Sequence, residues 1–588
     1  MPDTTPSAAT LPDSVGSLAA DPSAPSAAAA TSVSAAIAAE LEQHATHVFA
    51  LMGNGNAWFL DAVVRRGAMR LITVRHETAT VAAADAFARA SGELAVASTT
   101  YGPGYTNAIT SLAEAAQARI PLVLVVGDQP TGGPRPWDID QAAVATAVGA
   151  ATIVVGRDDA RAAARRAAEM ALVERRPVVL AIPYDIGHAP LDGDGARIDA
   201  LPAVQEAFAP LDGEQLAQVA ALLRSARRPL LLAGRGAHLA GAADALRALA
   251  ARLGARTASS ALGSGIFESG SRHLGICGGF ASERAAAAIE QADVVLVVGA
   301  GLNQFQLRFG DAFAPEARVL QVDVVDAATS PRVDELVRGD ARRVTEALLA
   351  LLEGDADAAA AADARWEAAG FGDVAGIHLE REPGDVAAPD GRLDPRSLFH
   401  ALERILPADR VIVQDGGHFI GWAPTHLSVA DPSRLLMVGT AFQTIGLGFP
   451  SAVGAAAARP DSTLVLVTGD GGALMGLADL DSVVRTARRA VVIVVNDAAY
   501  GAEVHQYAVR GVAEAPMLID QVDFAALGRG LGAEAAVVDA LDDLWELEAW
   551  LGSGAEGVFV ADCRVSQQVV APYIVEIREA AMRASRAA

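Results

Sequence analysis

Short apolar runs alternate with longer Ala-rich amphipathic stretches from about residue 34 onwards. In the first block the runs have the length and β-branched content of buried strands, and the stretches between them have helical spacing. The predicted strands are His47–Met52, Leu71–Val74, Leu94–Ser98, Leu122–Val126 and Val178–Ile182, and the clearest helices are Ala79–Ala90 and Ala160–Val173. Strand–helix alternation of this kind predicts a parallel sheet with helices on both faces.

The same rhythm returns in two later blocks. Their predicted strands are Pro229–Ala233, Val294–Val298 and Val319–Val322, and then Val411–Gln414, Leu464–Thr468, Val491–Val495 and Val558–Ala561. We therefore predict domains at 34–195, 208–352 and 394–588, with a solvated linker at 353–393, where Ala, Asp, charge and proline dominate. Residues 1–33 are mostly Ala, Ser, Pro and Thr, which predicts a disordered tail rather than a secretory signal.

Composition excludes several classes of function. A chain of 588 residues is too long for one core, and three domains are the natural expectation. The net charge of −25 argues against nucleic acid or an anionic membrane as a partner, because both need clustered positive charge. All 46 basic residues are arginine. The absence of lysine excludes Schiff-base chemistry, pyridoxal phosphate enzymes and the Walker-A phosphate loop.

The cysteines and the hydropathy pattern bear on location. Cys277 and Cys563 each sit beside an apolar run and far apart in sequence, so we predict buried thiols, which fits a reducing cytoplasm. No apolar run free of charge reaches the ~18 residues of a membrane span. A cytoplasmic enzyme without a membrane partner is the expectation.

The sharpest chemical signal lies in the third block. Strand Leu464–Val467 leads into Thr468-Gly469-Asp470-Gly471-Gly472, and strand Val491–Val495 ends in Asn496-Asp497. A right-handed crossover puts both strand ends at the carboxyl edge of the sheet, where open α/β sheets bind ligands. The glycines let backbone N–H groups approach a phosphate, and the two carboxylates suit a bridging Mg²⁺. The alternative is a plain turn followed by a helix cap.

This arrangement resembles the signature of a known superfamily. Gly469-Asp470-Gly471, 24 residues and then Asn496-Asp497 is similar to the thiamine diphosphate motif of acetolactate synthase, pyruvate decarboxylase and benzaldehyde lyase. The resemblance covers about residues 40 to 565. It implies an α/β fold of three domains, with two similar doubly wound parallel-sheet cofactor-binding domains flanking a Rossmann-like middle domain. The pyrimidine-binding domain would be 34–195 and the diphosphate-binding domain 394–588.

The resemblance also implies the cofactors and the metal ligands. Thiamine diphosphate and Mg²⁺ would act on 2-oxo acids through a C2 ylide that forms or breaks C–C bonds. The metal ligands would be the side chains of Asp470 and Asp497 and the backbone oxygen of Ala499. The family has Asn where this chain has Asp497, and the added negative charge should tighten metal binding.

The first block holds the predicted catalytic residue. Arg75-His76-Glu77 follows strand Leu71–Val74 and resembles the family segment whose glutamate hydrogen-bonds N1′ of the aminopyrimidine. A carboxyl at that nitrogen favours the imino tautomer, whose 4′-nitrogen removes the C2 proton. Without the diphosphate motif, Glu77 would be read as a helix-start carboxylate favoured by the dipole.

Three further segments extend the predicted cofactor site. Gly102-Pro103-Gly104-Tyr105-Thr106-Asn107 resembles the family's GPGxxN loop, and His418 falls where acetolactate synthases have the His of Gly-Gln-His. Phe442–Pro450 resembles the segment that wedges a bulky apolar side chain, here Ile445, under the cofactor. The predicted cofactor-binding residues are Gly102, Pro103, Gly104, Asn107, His418, Gln443, Ile445, Gly469, Gly471 and Gly472.

The expected partner is a second copy of the chain. The family places the glutamate and the metal motif of one site on different subunits, which implies a homodimer at minimum and a homotetramer as the alternative. FAD is possible, but we expect its absence rather than its presence, because Gly234-Arg235-Gly236 in the middle block is weak support for it.

The substrate is less defined than the cofactor. Trp137 stands where acetolactate synthases have a Gln near the reacting carbon, and Ala502–Gln506 lacks the Trp that favours 2-oxobutyrate. Glu503 and His505 are candidate proton-transfer groups, with an exposed helix face as the alternative. Three hypotheses follow: a carboligase resembling acetolactate synthase, a decarboxylase or lyase on a bulkier substrate whose pocket Trp137 shapes, and a non-catalytic cofactor-binding relative.

Overall fold

The computed structural model describes residues 31–192, 210–352, 356–381 and 384–587. Its framework consists of three six-stranded sheets in which all paired strands run parallel. The predicted α/β fold class is confirmed. Within the described residues, no helix is both long enough and apolar enough to cross a bilayer.

The first sheet and its helices come from the N-terminal third of the chain. The strands are β1 Ala45–Ala50, β2 Arg70–Thr73, β3 Leu94–Thr99, β4 Leu122–Asp128, β5 Ala151–Val154 and β6 Pro177–Pro183. The helices are α1 Val33–Leu41, α2 Ala57–Arg66, α3 Glu77–Ser91, α4 Pro103–Asn107, α5 Ile109–Gln117, α6 Gln141–Ala147 and α7 Ala160–Glu174. The order is β2-β1-β3-β4-β6-β5, so the strand order reverses between β1 and β3.

The middle sheet has the order β12-β11-β10-β7-β8-β9. Numbered from its own first strand, this is the 6-5-4-1-2-3 order of the Rossmann fold, as predicted. The strands are β7 Pro229–Ala233, β8 Arg256–Ser259, β9 His273–Ile276, β10 Val294–Val298, β11 Arg318–Asp323 and β12 Glu335–Arg338. The helices are α8 Gly213–Ser225, α9 Arg235–Leu239, α10 Ala243–Leu253, α11 Glu283–Glu290, α12 Ala341–Leu351 and α13 Ala356–Ala368.

The third sheet repeats the strand order of the first as β14-β13-β15-β16-β18-β17. Its strands are β13 Arg410–Gln414, β14 Leu435–Leu436, β15 Thr463–Gly469, β16 Arg489–Asn496, β17 Glu534–Val538 and β18 Gly557–Arg564. The helices are α14 Pro395–Ile405, α15 Trp422–His426, α16 Gly448–Ala458, α17 Asp470–Met475, α18 Leu480–Thr486, α19 Gly501–Tyr507, α20 Phe524–Gly530, α21 Trp545–Gly552 and α22 Pro572–Ala587. Two units of one topology thus flank the Rossmann-like one.

The first and third units share a hydrophobic core through α3 and α16. Both helices are rich in small residues, so their backbones can approach closely. A Cβ added at Gly454 of α16 would lie 1.9 Å from the carbonyl oxygen of Ala83 in α3, and only glycine fits there. Since α3 begins at Glu77 and α16 follows the Ile445 segment, this contact fixes two predicted site segments relative to each other.

Two predicted boundaries need correction. The solvated linker 353–393 includes α13, whose Trp366 is fully buried in the middle-unit core with Val374 and Ile377. Three large apolar side chains outweigh the polar composition around them, and the Arg256 guanidinium stacks 5.5 Å from the Trp366 ring. Of the predicted tail, residues 1–30 lie outside the described residues, whereas Ser32 caps α1.

Strand prediction failed mainly at sheet edges. The edge strands β5, β9 and β12 have only four residues each and no clear alternation. Their pairing comes from the neighbouring strand rather than from their own letters. The predicted strand His47–Met52 begins two residues earlier, at Ala45, and its last two residues belong to the loop that follows Ala50.

Candidate active site

The ends of two adjacent strands bring the predicted metal ligands together. β15 pairs with β16 so that Gly469 lies opposite Val495, and Asp470 and Asp497 come directly after this register. Asp470 is 3 % exposed and Asp497 is 7 % exposed. The Asp470 carboxylate accepts backbone N–H groups from Gly471 at 2.9 Å and from Ala499 at 3.1 Å. Both side chains therefore sit at the carboxyl edge of the sheet, beside the β13/β15 reversal where doubly wound sheets bind ligands.

Burial and mutual repulsion make this pair costly without a cation. Burial raises the pKa of Asp470 to about 6. Burial, and then the Asp470 charge, raise the pKa of Asp497 to about 8. Two buried like charges are stabilised by a divalent cation, and Mg²⁺ takes few protein ligands while keeping phosphate oxygens in its octahedron. Among the described residues no group of three or more His, Cys, Asp or Glu is arranged to hold a metal.

The glycines of this motif are required by packing as well as by any ligand. A Cβ at Gly469 would meet the Phe419 ring at 2.5 Å, and one at Gly471 would meet the Tyr500 ring at 2.6 Å. Ala498, between Asp497 and Ala499, has a φ of 58° although it is not glycine. Strained residues of this kind are concentrated at functional sites.

Asp415 organises the neighbouring loop, and sequence reasoning missed it. It follows β13 and is fully buried, and its carboxylate accepts from the N–H of Gly416 at 2.8 Å, the N–H of Gly446 at 3.1 Å and the hydroxyl of Thr468 at 3.1 Å. Burial raises its pKa to about 6. One carboxylate thus ties the ends of β13 and β15 to the Ile445 segment. The sequence does contain a signal for Asp415, because this acidic residue stands between a predicted strand and a Gly-Gly pair.

His418 and His505 form a buried pair next to the metal motif. Their ring centroids are 4.6 Å apart, and the N–H of Ala571 donates to Nε2 of His418 at 2.9 Å. Burial lowers the pKa of His418 to about 3, so the ring is neutral at pH 7 and its proton is on Nδ1. His418 can therefore offer a neutral N–H donor, not a positive charge. Glu503 lies on an exposed face of α19 and does not join the pair.

The C-terminal segment crosses this half of the site, which the sequence did not predict. Gln567 Nε2 donates to the backbone oxygens of Asp497 at 2.5 Å and of Ala498 at 3.4 Å. The Tyr573 hydroxyl donates to the backbone oxygens of Gly417 at 3.0 Å and of His418 at 2.8 Å. Two polar side chains therefore hold both loops of the diphosphate half from the C-terminal side.

The other half of the predicted site lies at the carboxyl edge of the first sheet. Glu77 is the first residue of α3, and Asn107 Nδ2 donates to its carboxylate at 3.0 Å. A Cβ at Gly104 would lie 3.4 Å from Glu77 Oε1, while Gly102 has a φ of 60° and Pro103 opens α4. The structure thus brings the predicted glutamate and the Gly-Pro-Gly loop together.

The wedge segment has a strained backbone. Ile445 packs its Cγ2 against Gly416, where an added Cβ would be 2.9 Å away. Gln443 has a φ of 58°, and the Thr444 N–H closes the loop on the Gly439 oxygen at 2.9 Å. Among the described residues, no hydrogen bond or ion pair joins Glu77 to Asp470, Asp497 or Ile445.

Trp137 belongs to an aromatic cluster on the Glu77 side. Its side chain is 63 % exposed and lies in the loop after β4. The Arg135 guanidinium is 5.5 Å from the Trp137 ring centroid, 4.3 Å from Tyr101 and 4.8 Å from Tyr184, and Asp138 pairs with it at 2.8 Å. These residues follow the adjacent strands β3, β4 and β6, and Tyr101 directly precedes the Gly-Pro-Gly loop.

The glycines of Gly234-Arg235-Gly236 are explained by packing, not by a ligand. A Cβ at Gly234 would lie 2.3 Å from the Gly299 oxygen, and one at Gly236 would lie 2.8 Å from the Gly299 Cα. Arg235 donates to the backbone oxygen of Ala118 in the first unit. The motif therefore gives no support to FAD. Cys277 and Cys563 are free and buried, as predicted.

Comparison with known proteins agrees with this geometry. Three family models match, described as "Thiamine pyrophosphate enzyme, N-terminal TPP binding domain" at residues 31–144, "central domain" at 216–348 and "C-terminal TPP binding domain" at 415–560.

Individual relatives extend over most of the chain. An acetolactate synthase large subunit from Parasynechococcus marenigrum is 30% identical over 80% of this chain and 76% of its own length. A sulfoacetaldehyde acetyltransferase from Castellaniella defragrans is 29% identical over 85% of this chain and 86% of its own length. The solved thiamine diphosphate-dependent 4-hydroxybenzoylformate decarboxylase of Rhodococcus jostii RHA1 has a TM-score of 0.72 at 20% identity, with 91% of this chain and 99% of that chain covered.

Proposed function

The chain belongs to the thiamine pyrophosphate enzyme family, and from that premise we propose that it binds thiamine diphosphate through Mg²⁺ and acts on C–C bonds beside the carbonyl of a 2-oxo acid. The observation that carries the proposal is the buried pair Asp470 and Asp497. Its two charges have no cationic side chain among their hydrogen-bond partners in the described residues, and they lie beside a glycine-rich turn at a strand-order reversal.

The residues of the C-terminal unit would hold the metal and the diphosphate. Asp470, Asp497 and the backbone oxygen of Ala499 would bind Mg²⁺, while the N–H groups of Gly471 and Gly472 and the neutral ring of His418 would donate to phosphate oxygens. Thiamine diphosphate, when bound, supplies a nucleophilic carbon that adds to the substrate carbonyl. Burial of the carboxylate pair lowers the effective dielectric around it, which strengthens its attraction for the metal.

Glu77 would hold the proton at the pyrimidine. Its carboxylate already accepts from Asn107 through one oxygen, which orients the other oxygen for a second partner. The wedge Ile445 would fix the cofactor's shape, since it is braced against Gly416 and cannot retreat. Glu77 also argues against a non-catalytic relative, because a protein that only binds the cofactor needs no proton-relay carboxylate.

A homodimer is the minimum assembly we propose, with a homotetramer as the alternative. Among the described residues, Glu77 has no hydrogen bond or ion pair to Asp470 or Asp497, and each half-site carries exposed apolar side chains. Met52 and Trp58 near the Glu77 half are 70% and 54% exposed, and Met475 near the diphosphate half is 57% exposed. Pairing of the two halves across a dimer would cover these surfaces.

The reaction we favour is ligation of a 2-oxo acid donor to a second carbonyl compound, as the name of the acetolactate synthase relative indicates. Decarboxylation or C–C lysis of a bulkier substrate is the second candidate. Its support is the exposed aromatic cluster around Arg135 and Trp137 beside the Glu77 half, which offers a flat surface to a planar substituent.

Product analysis distinguishes the candidates. The protein is incubated with thiamine diphosphate, Mg²⁺ and either pyruvate or an aryl 2-oxo acid. Acetolactate from pyruvate supports ligation, and an aldehyde as the sole product supports decarboxylation. Failure to bind thiamine diphosphate, or no turnover across a panel of 2-oxo acids, would overturn the proposed catalytic function.

A further inference from the structure

A buried charge network connects the first unit to the wedge segment. Arg89 of α3 is paired with Asp85 at 2.5 Å and with Glu114 of α5 at 3.1 Å. Asp85 and Glu114 are both fully buried. The second oxygen of Glu114 accepts the backbone N–H of Phe442 at 2.7 Å, a contact between residues 328 positions apart. The carboxylate therefore has donors on both sides.

Phe442 lies three residues before Ile445, and the segment has few other restraints. The Phe442 side chain is 44 % exposed, and Gln443 next to it has the positive φ described above. On the far side of Ile445, the N–H of Gly446 is held by Asp415. Two buried carboxylates thus bracket the wedge, one from the third unit and one from the first.

We propose that Glu114 is a positioning residue that holds the Ile445 wedge at the height needed under the cofactor. The inference rests on the proposed function of Ile445. Asp415 fixes only the end of the wedge segment, at Gly446. The start of the segment is closed by one hydrogen bond, from Thr444 to Gly439, and could still move if nothing else held it. Glu114 removes that freedom, and Arg89 keeps the carboxylate turned toward Phe442.

The chemistry requires a carboxylate at position 114. Arg89 and the Phe442 N–H both donate, and a glutamine offers only one acceptor oxygen. In Glu114→Gln the amide nitrogen must face one of the two donors, so one contact is lost whichever way the side chain turns. An unpaired buried donor destabilises the arrangement that leaves it unpaired.

Asp85→Asn is the matched control. It removes one carboxylate from the same arginine, at the same degree of burial, and within the described residues the Asp85 carboxylate bonds to Arg89 and not to the wedge segment. Both variants should lower thermal stability similarly. Only Glu114→Gln should loosen residues 439–446.

The first measurement is amide hydrogen exchange of residues 439–446 in the protein without cofactor. We expect faster exchange in Glu114→Gln and wild-type exchange in Asp85→Asn. Equal exchange of this segment in both variants and wild type would overturn the proposal, even if the protein never binds thiamine diphosphate. If Glu114→Gln does not fold, Glu114→Asp keeps the charge for Arg89 while shortening its reach, and the same loss of protection is expected.

The second measurement separates positioning from stability in the loaded enzyme. With thiamine diphosphate and Mg²⁺ saturating, the C2 proton exchange rate of Glu114→Gln should fall about tenfold to a hundredfold, the scale expected when a reacting group is displaced by about an ångström. The rate in Asp85→Asn should stay within about twofold of wild type. If wild type binds the cofactor and both variants exchange at its rate, Glu114 has no positioning role and the proposed function stands.

Discussion

Asp470 and Asp497 follow adjacent strands in one register, and the negative charge of the first contributes to the raised pKa of the second. The pair is therefore unfavourable in the protein alone and favourable around a divalent cation. Because the pair destabilises the metal-free protein and binds the cation, its metal role can be tested by the protein's thermal stability as well as by its activity.

Asp497→Asn should separate the two effects. It removes a buried carboxyl group that must either take up a proton or repel the Asp470 charge, so the thermal midpoint of the metal-free protein at pH 7 should rise, while Mg²⁺ affinity should fall about tenfold. Activity at saturating Mg²⁺ should persist, because an amide oxygen still binds the ion. Asp470→Ala should weaken Mg²⁺ binding by at least about 100-fold. Scanning fluorimetry with and without Mg²⁺ and thiamine diphosphate measures both, and a lower metal-free midpoint in Asp497→Asn would contradict the account.

Glu77→Gln should leave cofactor binding largely intact and slow C2 proton exchange by about a hundredfold or more, the range of general acid–base catalysis. Glutamine can still accept from Asn107, so the Gly-Pro-Gly loop keeps its contact. The exchange rate is followed by proton NMR of the bound cofactor after acid quench. An unchanged rate with unchanged cofactor affinity would remove Glu77 from the catalytic role.

Trp137→Ala tests the second reaction candidate. The Trp137 ring is part of the aromatic surface around Arg135, whose guanidinium lies 5.5 Å from the ring centroid. We expect kcat/KM for an aryl 2-oxo acid to fall about tenfold while kcat/KM for pyruvate changes little, because a lost apolar contact costs about 1–3 kcal/mol. Trp545→Ala, which removes a tryptophan of similar exposure (65 %) at the start of α21 in the third unit, is the control. Equal losses for both substrates would argue against a role in selectivity.

The positions of Asp470, Asp497 and Glu77 at strand ends could be predicted because each is encoded locally. A β run followed by Gly-Asp-Gly, or by Asn-Asp, reports a strand end directly, and parallel pairing then brings the ends together. Glu77 was found in the same way, at the end of β2. These inferences needed only the order of elements, not their packing.

The supports of the site could not be predicted because they depend on packing between distant segments. The Glu114 contact with Phe442 spans 328 residues, and the Gln567 contact with Asp497 spans 70. Which polar side chain satisfies a buried backbone group is decided only when helices such as α3 and α16 are docked. The duplicated topology was expected only from the family resemblance, because different letters encode the same topology and the sequence shows no internal repeat.

Asp415→Asn should change how stability depends on pH. Burial raises the folded-state pKa of Asp415 from 3.8 to about 6, so between these values the folded protein holds a proton that the unfolded chain has lost. Stability must then fall as pH rises through this window, by roughly 3 kcal/mol at about 1.4 kcal/mol per pKa unit. Asparagine keeps an acceptor for Gly416 and Gly446 and carries no charge. Wild type should therefore lose stability relative to Asp415→Asn when the pH is raised from about 5 to about 7.5.

The control for this measurement is Asp394→Asn. Burial alone would raise the pKa of Asp394, but hydrogen bonds from Arg396 outweigh burial and lower this pKa. The ionised Asp394 therefore stabilises the fold, and this stabilisation is lost only when the pH falls below the pKa of an aspartate in the unfolded chain. The difference in urea midpoint between wild type and each variant, measured without cofactor at both pH values, is the readout. The difference should shift with pH for Asp415→Asn and stay constant for Asp394→Asn. A constant difference for both variants would mean that burial does not hold Asp415 protonated. The carboxylate that accepts from Gly446 would then already be charged at pH 5.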